Sequence, residues 1–229
     1  MAKKKQKLNP LITYEAPKSP VSEKFRGIRT NISFSRVDNN INSLIVTAEK
    51  PDAGKSTITS NIAITYAQSG LRTLIIDGDM RKPTQHYIFN ETNTKGLSSL
   101  IVENGEPDDF IKPTHIENLF LLTSGPIPPN PSELIGSTRF KEVFNKLKTQ
   151  FDMIIIDTPP TLSVTDSQLF SKLAHNVVLV IDAENNNREE VKRGKELIEQ
   201  SGAKILGVIL NKATLEKNTS NYYYYYGDE

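Results

Sequence analysis

The sequence predicts one doubly wound α/β domain, with a mainly parallel sheet and helices on both of its faces. Two observations support this prediction. Six short runs rich in Ile, Val and Leu have the composition of strands buried on both sides: SLIVT, RTLIID, NLFLLT, MIIID, NVVLVID and KILGVILN. Stretches of helical period lie between them, at about 55–69, 132–148, 165–174 and 188–200. Such a strand–helix alternation requires parallel strands joined by crossover helices.

Length and composition narrow the class of protein. The 229 residues suffice for one hydrophobic core. The balance of 28 basic against 27 acidic residues gives no overall field that would favour a nucleic acid, and we expect none as a partner. The absence of cysteine excludes a disulfide framework. No apolar run approaches the length of a membrane span, and the start MAKKKQKLNP lacks the apolar segment of a secretory signal, so we expect a cytoplasmic chain.

Three segments follow from the pattern along the chain. We expect a flexible N-terminal segment at 1–20, the folded domain at 21–212 and a tyrosine-rich tail at 213–229. Prolines interrupt the first segment, and the stretch SEKFRGIRTNISFS after them predicts a helix with Ser22 as its N-cap. The tail has neither a helical nor a strand period, so we predict that it is flexible.

A phosphate-binding loop is predicted between the first strand and the next helix. The strand SLIVT leads into AEKPDAGKST, where backbone N–H groups would face nucleotide phosphates, a lysine would reach the β- and γ-phosphates, and a hydroxyl would bind magnesium. The predicted nucleotide-binding residues are Pro51, Asp52, Ala53, Gly54, Lys55, Ser56 and Thr57, with Asn211 after the last strand. The strict motif has glycine where this chain has Glu49, and a helix start that merely contains GKST is the alternative.

Acidic residues end two of the predicted strands. Parallel sheets present ligands at the carboxyl ends of their strands, and Asp77 and Asp79, two residues apart, would emerge on one face. Asp157 ends the run MIIID. We predict a magnesium site of Ser56, Asp77 and Asp157. Lys55, Asp79 and Asp77 are the predicted catalytic residues, since a carboxylate could accept the proton of an attacking hydroxyl while Lys55 stabilises phosphoryl charge. For the strand-end acids, helix capping is the structural alternative.

The segments EKPDAGKST, LIIDGDMRKP and MIIIDTPP, together with the terminal tyrosines, resemble the bacterial tyrosine kinases over nearly the whole chain. The resemblance implies a MinD- and ParA-like P-loop fold and an ATP- and Mg²⁺-dependent tyrosine autokinase that regulates capsular polysaccharide synthesis. It places the Walker A motif at Lys55 and Ser56, the Walker A′ motif at Asp77 and Asp79, and the Walker B motif at Asp157. The chain has no H-R-D or D-F-G segment, which excludes the eukaryotic kinase fold.

The same resemblance implies partners. The signature E-x-x-R-x-x-R is matched by Glu23, Arg26 and Arg29, which would form subunit contacts in a homo-oligomeric ring. Read from the residues alone, these three could form an ordinary charged helix face. The family also implies protein tyrosine substrates and a separately encoded, membrane-spanning adaptor. That adaptor would complete the nucleotide site and recruit the chain to the inner face of the cell membrane.

The tail is the predicted phosphate acceptor. Its five consecutive tyrosines are Tyr222, Tyr223, Tyr224, Tyr225 and Tyr226. The 17 residues of 213–229 could extend roughly 55–60 Å, far enough to enter a neighbour's site. We predict phosphorylation in trans, although reach alone does not forbid the cis route. Two alternatives remain: a ParA- or MinD-like ATPase switch without kinase activity, and an interaction module whose tyrosines another kinase modifies. A membrane switch would end in a basic amphipathic helix rather than in tyrosines and acids.

Overall fold

The computed structural model describes residues 10–35 and 41–213. Its sheet has the strand order β3-β4-β2-β5-β1-β6-β7. The strands are β1 (Ser43–Ala48), β2 (Thr73–Asp77), β3 (Lys112–Pro113), β4 (Leu119–Leu122), β5 (Met153–Asp157), β6 (Asn176–Asp182) and β7 (Lys204–Asn211). Neighbouring strands pair in parallel except at one edge, where the two-residue β3 runs antiparallel to β4. The predicted mainly parallel sheet is confirmed.

Helices cover both faces of this sheet. They are α1 (Ile12–Glu15), α2 (Pro20–Phe34), α3 (Lys55–Gln68), α4 (Gln85–Ile88), α5 (Leu97–Val102), α6 (Pro131–Gly136), α7 (Thr138–Gln150), α8 (Asp166–Ala174) and α9 (Arg188–Gln200). One hydrophobic cluster packs α2 and α3 against one face of the sheet. A second cluster packs the five helices α5, α6, α7, α8 and α9 against the other face. Strand β1 contributes Leu44 and Val46 to the first cluster and Ile45 to the second. This alternation is that of a strand buried on both sides.

The N-terminal segment differs from the prediction. We expected residues 1–20 to be flexible, but from residue 10 onward the chain packs on the domain, because α1 lies against α3 and Thr13 is fully buried. The predicted N-cap is also wrong by three positions. Helix α2 begins at Pro20, and the Ser19 side chain accepts a hydrogen bond from the Ser22 N–H (3.2 Å). Proline suits the first helical turn since its missing N–H would have no helical partner there.

None of the helices within the described ranges combines the length and the apolar character that crossing a membrane would require.

Candidate active site

The phosphate loop lies at the centre of the sheet. Strand β1 pairs with β5 on one side and β6 on the other, and the chain leaves β1 to enter α3 through Gly54, whose φ of 92° is in the left-handed region. A Cβ at Gly54 would lie 2.2 Å from the side chain of Asn211, so the loop also needs glycine for close approach. The Asn211 amide donates to the Ala53 carbonyl (2.9 Å). Asn211 therefore supports the loop from the end of β7.

A cleft of about 520 Å³ opens beside this loop. It is lined by Pro51, Asp52, Gly54, Lys55, Ser56, Thr57, Asp79, Arg81, Lys82, Thr84, Pro159, Pro160, Ser163 and Val164. Six of the eight predicted nucleotide-binding residues line it, and Asp79 faces it as well. The fully buried Ala53 and the loop-supporting Asn211 do not.

The two strand-end acids lie side by side behind the cleft. Asp77 and Asp157 are register partners at the ends of β2 and β5, and both are fully buried. The backbone N–H groups of Thr84 and Gln85 donate to one oxygen of Asp77 (3.0 and 2.9 Å). The Thr84 hydroxyl in turn lies 2.9 Å from the Ser56 hydroxyl. The structure thus brings Ser56, Asp77 and Asp157 together in one network.

The electrostatics of this pair favour a bound cation. Burial raises the pKa of Asp77 well above its ordinary value, and the charge of Asp157 raises it further. Burial also raises the pKa of Asp157, although Lys55 and the Ser56 hydroxyl oppose this change. Among the residues that the structure describes, one oxygen of each carboxylate, Oδ1, is buried without a hydrogen-bond partner. Two unpaired anionic oxygens beside a phosphate loop fit a divalent cation, which would supply the missing countercharge.

A closed cage of protein ligands is absent from this place. Over residues 10–35 and 41–213, no group of three or more His, Cys, Asp or Glu side chains is arranged to hold a metal ion. Magnesium does not need such a cage, because it commonly keeps several waters and binds one or two carboxylates together with substrate phosphates. The donor set of Ser56, Asp77 and Asp157 therefore fits Mg²⁺ more closely than a metal that demands a complete protein shell.

Asp79 occupies a different position from Asp77. It is 7% exposed, lines the cleft and accepts a hydrogen bond from the Lys82 N–H (3.0 Å). Burial raises its pKa, against the opposing effects of that N–H and of Lys55. The neighbouring Arg81 is held at the cleft wall by the buried Asp166, with Nε 2.9 Å from Oδ2. Of the three predicted acids, Asp79 is therefore the one that a substrate hydroxyl in the cleft could approach, since Asp77 and Asp157 are fully buried.

Glu49 and Lys50, at the start of the loop, both point away from the cleft. Glu49 is fully buried against α9, where a Cβ at Gly194 would lie 3.2 Å from the Glu49 Cβ. The Lys50 ammonium donates to the carbonyl of Asn185, in the segment after β6. The glutamate that replaces the motif's glycine is therefore a buried residue next to the loop rather than a group that faces the phosphates.

The predicted oligomerisation residues are on α2, remote in sequence from the loop. Glu23 and Arg26 form an exposed ion pair (2.7 Å), which also fits the reading of a charged helix face. Arg29 donates to the Thr65 carbonyl on α3 (2.5 Å). A role for these residues in subunit contacts stays a prediction. The predicted acceptors Tyr222 to Tyr226 lie outside the described residues.

Several residues of the site carry no sequence motif. Thr84 and Gln85 contact the strand-end acids, yet they stand seven and eight residues beyond Asp77, outside any recognised pattern. Lys212 bonds both the Asp52 carbonyl (2.9 Å) and the Asp182 carboxylate (2.7 Å), which fixes the loop to the ends of β6 and β7. The sequence feature that could have indicated Thr84, Gln85 and Lys212 is their position, because all three follow strands that end at the ligand-binding edge of the sheet.

Comparison with known proteins places the chain among related sequences and structures. Residues 42–205 match the AAA domain family. CapB of Staphylococcus aureus is 56% identical over 229 residues, covering 100% of both chains. The tyrosine-protein kinase YwqD of Bacillus subtilis is 41% identical over 217 residues, which are 95% of this chain and 91% of YwqD.

Solved structures agree with these relatives. The crystal structure of the chimerical protein CapA2B2 superposes with a TM-score of 0.88 at 58% identity, covering 92% of each chain. The cell division ATPase MinD of Pyrococcus furiosus superposes with a TM-score of 0.64 at 22% identity, covering 74% of this chain and 71% of MinD. The second likeness confirms the MinD-like P-loop fold and carries no information on activity.

Proposed function

The chain belongs to the tyrosine-protein kinase family that these bacterial relatives represent, and we propose that it is an ATP-dependent autokinase acting on its own C-terminal tyrosines. One observation carries the proposal: Ser56 at the start of α3 is linked to the paired acids Asp77 and Asp157, each of which keeps one carboxylate oxygen without a partner in the described part of the chain. That arrangement suits a phosphoryl-transfer site.

Each residue has a role in the proposed reaction. The loop N–H groups and Lys55 would bind the β- and γ-phosphates of ATP, and Ser56, Asp77 and Asp157 would hold Mg²⁺. Magnesium, when bound, neutralises the charge that develops on the phosphates. The tyrosine oxygen forms a bond to the γ-phosphorus while the bond to the ADP oxygen breaks, and Asp79 accepts the phenol proton. Burial raises the pKa of Asp79, which makes it a better base than an exposed carboxylate.

The acceptors in this proposal are Tyr222 to Tyr226 of a neighbouring subunit in a homo-oligomeric ring. Each added phosphate brings about −1.5 to −2 charges next to Asp228 and Glu229, so repeated modification would repel the tail from acidic surroundings and loosen the ring. A membrane-spanning adaptor would complete the nucleotide site, recruit the chain to the inner face of the membrane and connect the phosphorylation cycle to capsular polysaccharide synthesis. The support for the ring and the adaptor is the family to which the chain belongs.

A mixing experiment tests the trans reaction. A Lys55→Met chain that keeps its tail is incubated with an active chain that lacks Tyr222 to Tyr226, in the presence of labelled ATP, Mg²⁺ and the cytoplasmic segment of the adaptor. We expect label on the inactive, tailed chain. If that chain stays unlabelled while the full-length active protein labels itself, the trans route is rejected. If neither carries label, the autokinase proposal itself fails, and an ATPase switch becomes the better account.

A further inference from the structure

Gln85 is a fully buried residue whose side chain uses all of its hydrogen-bonding groups inside the site. Its Nε2 donates to the Asp157 Oδ2 (2.8 Å) and to the Ser56 carbonyl (3.1 Å). Its Oε1 accepts from the Ser60 hydroxyl (2.8 Å), one turn along α3. Both N–H groups and the carbonyl oxygen are thus engaged, so the amide has one orientation that satisfies its surroundings.

The backbone of the same residue holds the second acid. The Gln85 N–H donates to the Asp77 Oδ2 (2.9 Å), next to the donation from the Thr84 N–H (3.0 Å). Gln85 therefore contacts the strand-end acids of both β2 and β5 as well as the first turn of α3. Within the described part of the chain, it is the residue that joins Asp77, Asp157 and Ser56 by direct hydrogen bonds.

These contacts leave a defined pair of oxygens free. Gln85 donates to Oδ2 of each carboxylate, whereas Oδ1 of Asp77 and Oδ1 of Asp157 have no partner within the described ranges. A carboxylate that is hydrogen-bonded through one oxygen has a restricted rotamer, so its other oxygen points in a fixed direction. The donated N–H groups also stabilise two negative charges that face each other across neighbouring strands.

We propose that Gln85 is a positioning residue for the metal site, one that orients Asp157 and Asp77 so that their free oxygens and the Ser56 hydroxyl converge on one magnesium ion. This role rests on the proposed function and adds to it a residue outside the Walker motifs. Gln85 would touch neither nucleotide nor metal. Outer-shell partners of this kind typically change metal affinity or activity by about 10–100-fold when they are replaced.

The test separates metal-dependent from metal-independent nucleotide binding. Gln85→Leu removes both side-chain N–H donors and keeps the backbone N–H. The affinity of this variant for a fluorescent ADP analogue is measured once in the presence of Mg²⁺ and once in the presence of EDTA. We expect the affinity in EDTA to stay within about twofold of the original chain, because the loop N–H groups and Lys55 are unchanged. The affinity with Mg²⁺ should fall about 10–100-fold, and the Mg²⁺ concentration for half-maximal phosphorylation should rise.

Two further variants keep the result interpretable. Gln68→Leu is the matched control, since Gln68 is an exposed glutamine at the end of α3, where its amide donates to the Thr13 carbonyl (3.1 Å). We expect this variant to bind with and without Mg²⁺ like the original chain. Gln85→Glu keeps the side-chain volume and loses the donors, so it covers the case in which the leucine variant does not fold. A folded Gln85 variant with the original Mg²⁺ dependence overturns the positioning role. Absence of Mg²⁺-dependent binding in the original chain would instead count against the proposed function.

Discussion

Asp52 is the residue of the phosphate loop whose charge conflicts with the proposed ligand. Its φ of 59° is in the left-handed region, where Asp and Asn are better tolerated than other non-glycine residues. The side chain is exposed and lines the cleft. A carboxylate at this place should repel the phosphates of ATP, because both groups are negatively charged and would lie in the same cleft.

We therefore expect Asp52→Asn to bind Mg²⁺·ATP several-fold more tightly than the original chain. Asparagine keeps the size and the tolerance of positive φ, so the variant isolates the charge. Calorimetric titration should show the larger gain at about 0.05 M salt and a smaller one at about 0.5 M, because exposed charges are screened. An unchanged or weaker affinity at low salt would show that the carboxylate does not repel the nucleotide.

Glu49 should make stability depend on pH. Both of its carboxylate oxygens are buried without a partner at 10–35 or 41–213, and burial raises the pKa of Glu49. A raised pKa in the folded state means that the folded chain holds this proton more tightly than the unfolded chain does. The contribution of Glu49 to stability is therefore complete below the ordinary carboxyl pKa of about 4.3 and is lost as the pH rises through the raised value.

Glu49→Gln tests this consequence by removing the ionisation. We expect the variant to gain melting temperature relative to the original chain as the pH rises from about 5 to about 8. The reason is that only the original chain must bury a charged carboxylate at high pH. Thermal unfolding followed by circular dichroism measures the difference at each pH. A constant difference over this range would mean that Glu49 is solvated or paired when it ionises.

Sequence reasoning found the residues that belong to a motif and missed those that depend on tertiary placement. Lys55, Ser56 and the acids Asp77 and Asp157 follow from a strand, a loop and two strand ends, which are local patterns. The roles of Gln85 and Lys212 arise only when α4 and the end of β7 fold against the loop. No local pattern of sequence encodes such a contact.

At the scale of elements, the buried side chain of Asn61 on α3 makes several of the hydrogen bonds that hold the short helix α1 and the residues before it. The Asn61 Oδ1 accepts from the N–H and the hydroxyl of Thr13 (2.9 and 2.7 Å). The Asn61 Nδ2 donates to the Pro10 carbonyl (2.6 Å). These long-range bonds explain why the segment after residue 10 packs on the domain, although its prolines led us to expect a flexible segment.

Asn61→Ala should detach this segment. It leaves the buried Thr13 N–H and hydroxyl without an acceptor, at a cost of about 1–3 kcal/mol. We expect faster hydrogen exchange at residues 10–16 and smaller changes in the exchange rate elsewhere, because the loss of these bonds allows this segment to open locally. The exposed Asn31→Ala on α2 is the matched control. Equal exchange in both variants would show that α1 is held by other contacts.

The longer elements were predictable and the shortest were not. All six apolar runs form strands, but β7 lies at the sheet edge and is largely exposed, so the prediction of burial on both sides was wrong for KILGVILN. The helical stretches correspond to α3, α7, α8 and α9 together with part of α6. Helices α4 and α5 have four and six residues, too few for a helical period to emerge. Strand β3 has two residues, one of them Pro113, and pairs only at the sheet edge, where proline is tolerated.

At the scale of the whole molecule, the proposed ring should depend on the exposed part of α2. In the part of the chain that the structure describes, the Arg26 side chain bonds only its exposed neighbour Glu23 and the Pro17 carbonyl. Arg29 bonds the Thr65 carbonyl on α3, and its replacement would disturb the fold. We expect Arg26→Glu to lower the oligomer mass measured by light scattering while the melting temperature stays unchanged. Lys24→Glu makes the same charge change on the same helix and should leave the mass as it was. Equal masses for Arg26→Glu and the original chain would contradict the ring contact.

The central claim is that one pocket, built from Lys55 and the paired acids Asp77 and Asp157, transfers phosphate to the terminal tyrosines. The most direct measurement is the intact mass and peptide map of the purified chain after incubation with Mg²⁺·ATP and the adaptor's cytoplasmic segment. We predict phosphate on Tyr222 to Tyr226 in the original chain and none on folded Asp77→Asn or Asp157→Asn chains. Tyrosine phosphorylation that persists at the original level in either variant would contradict the account.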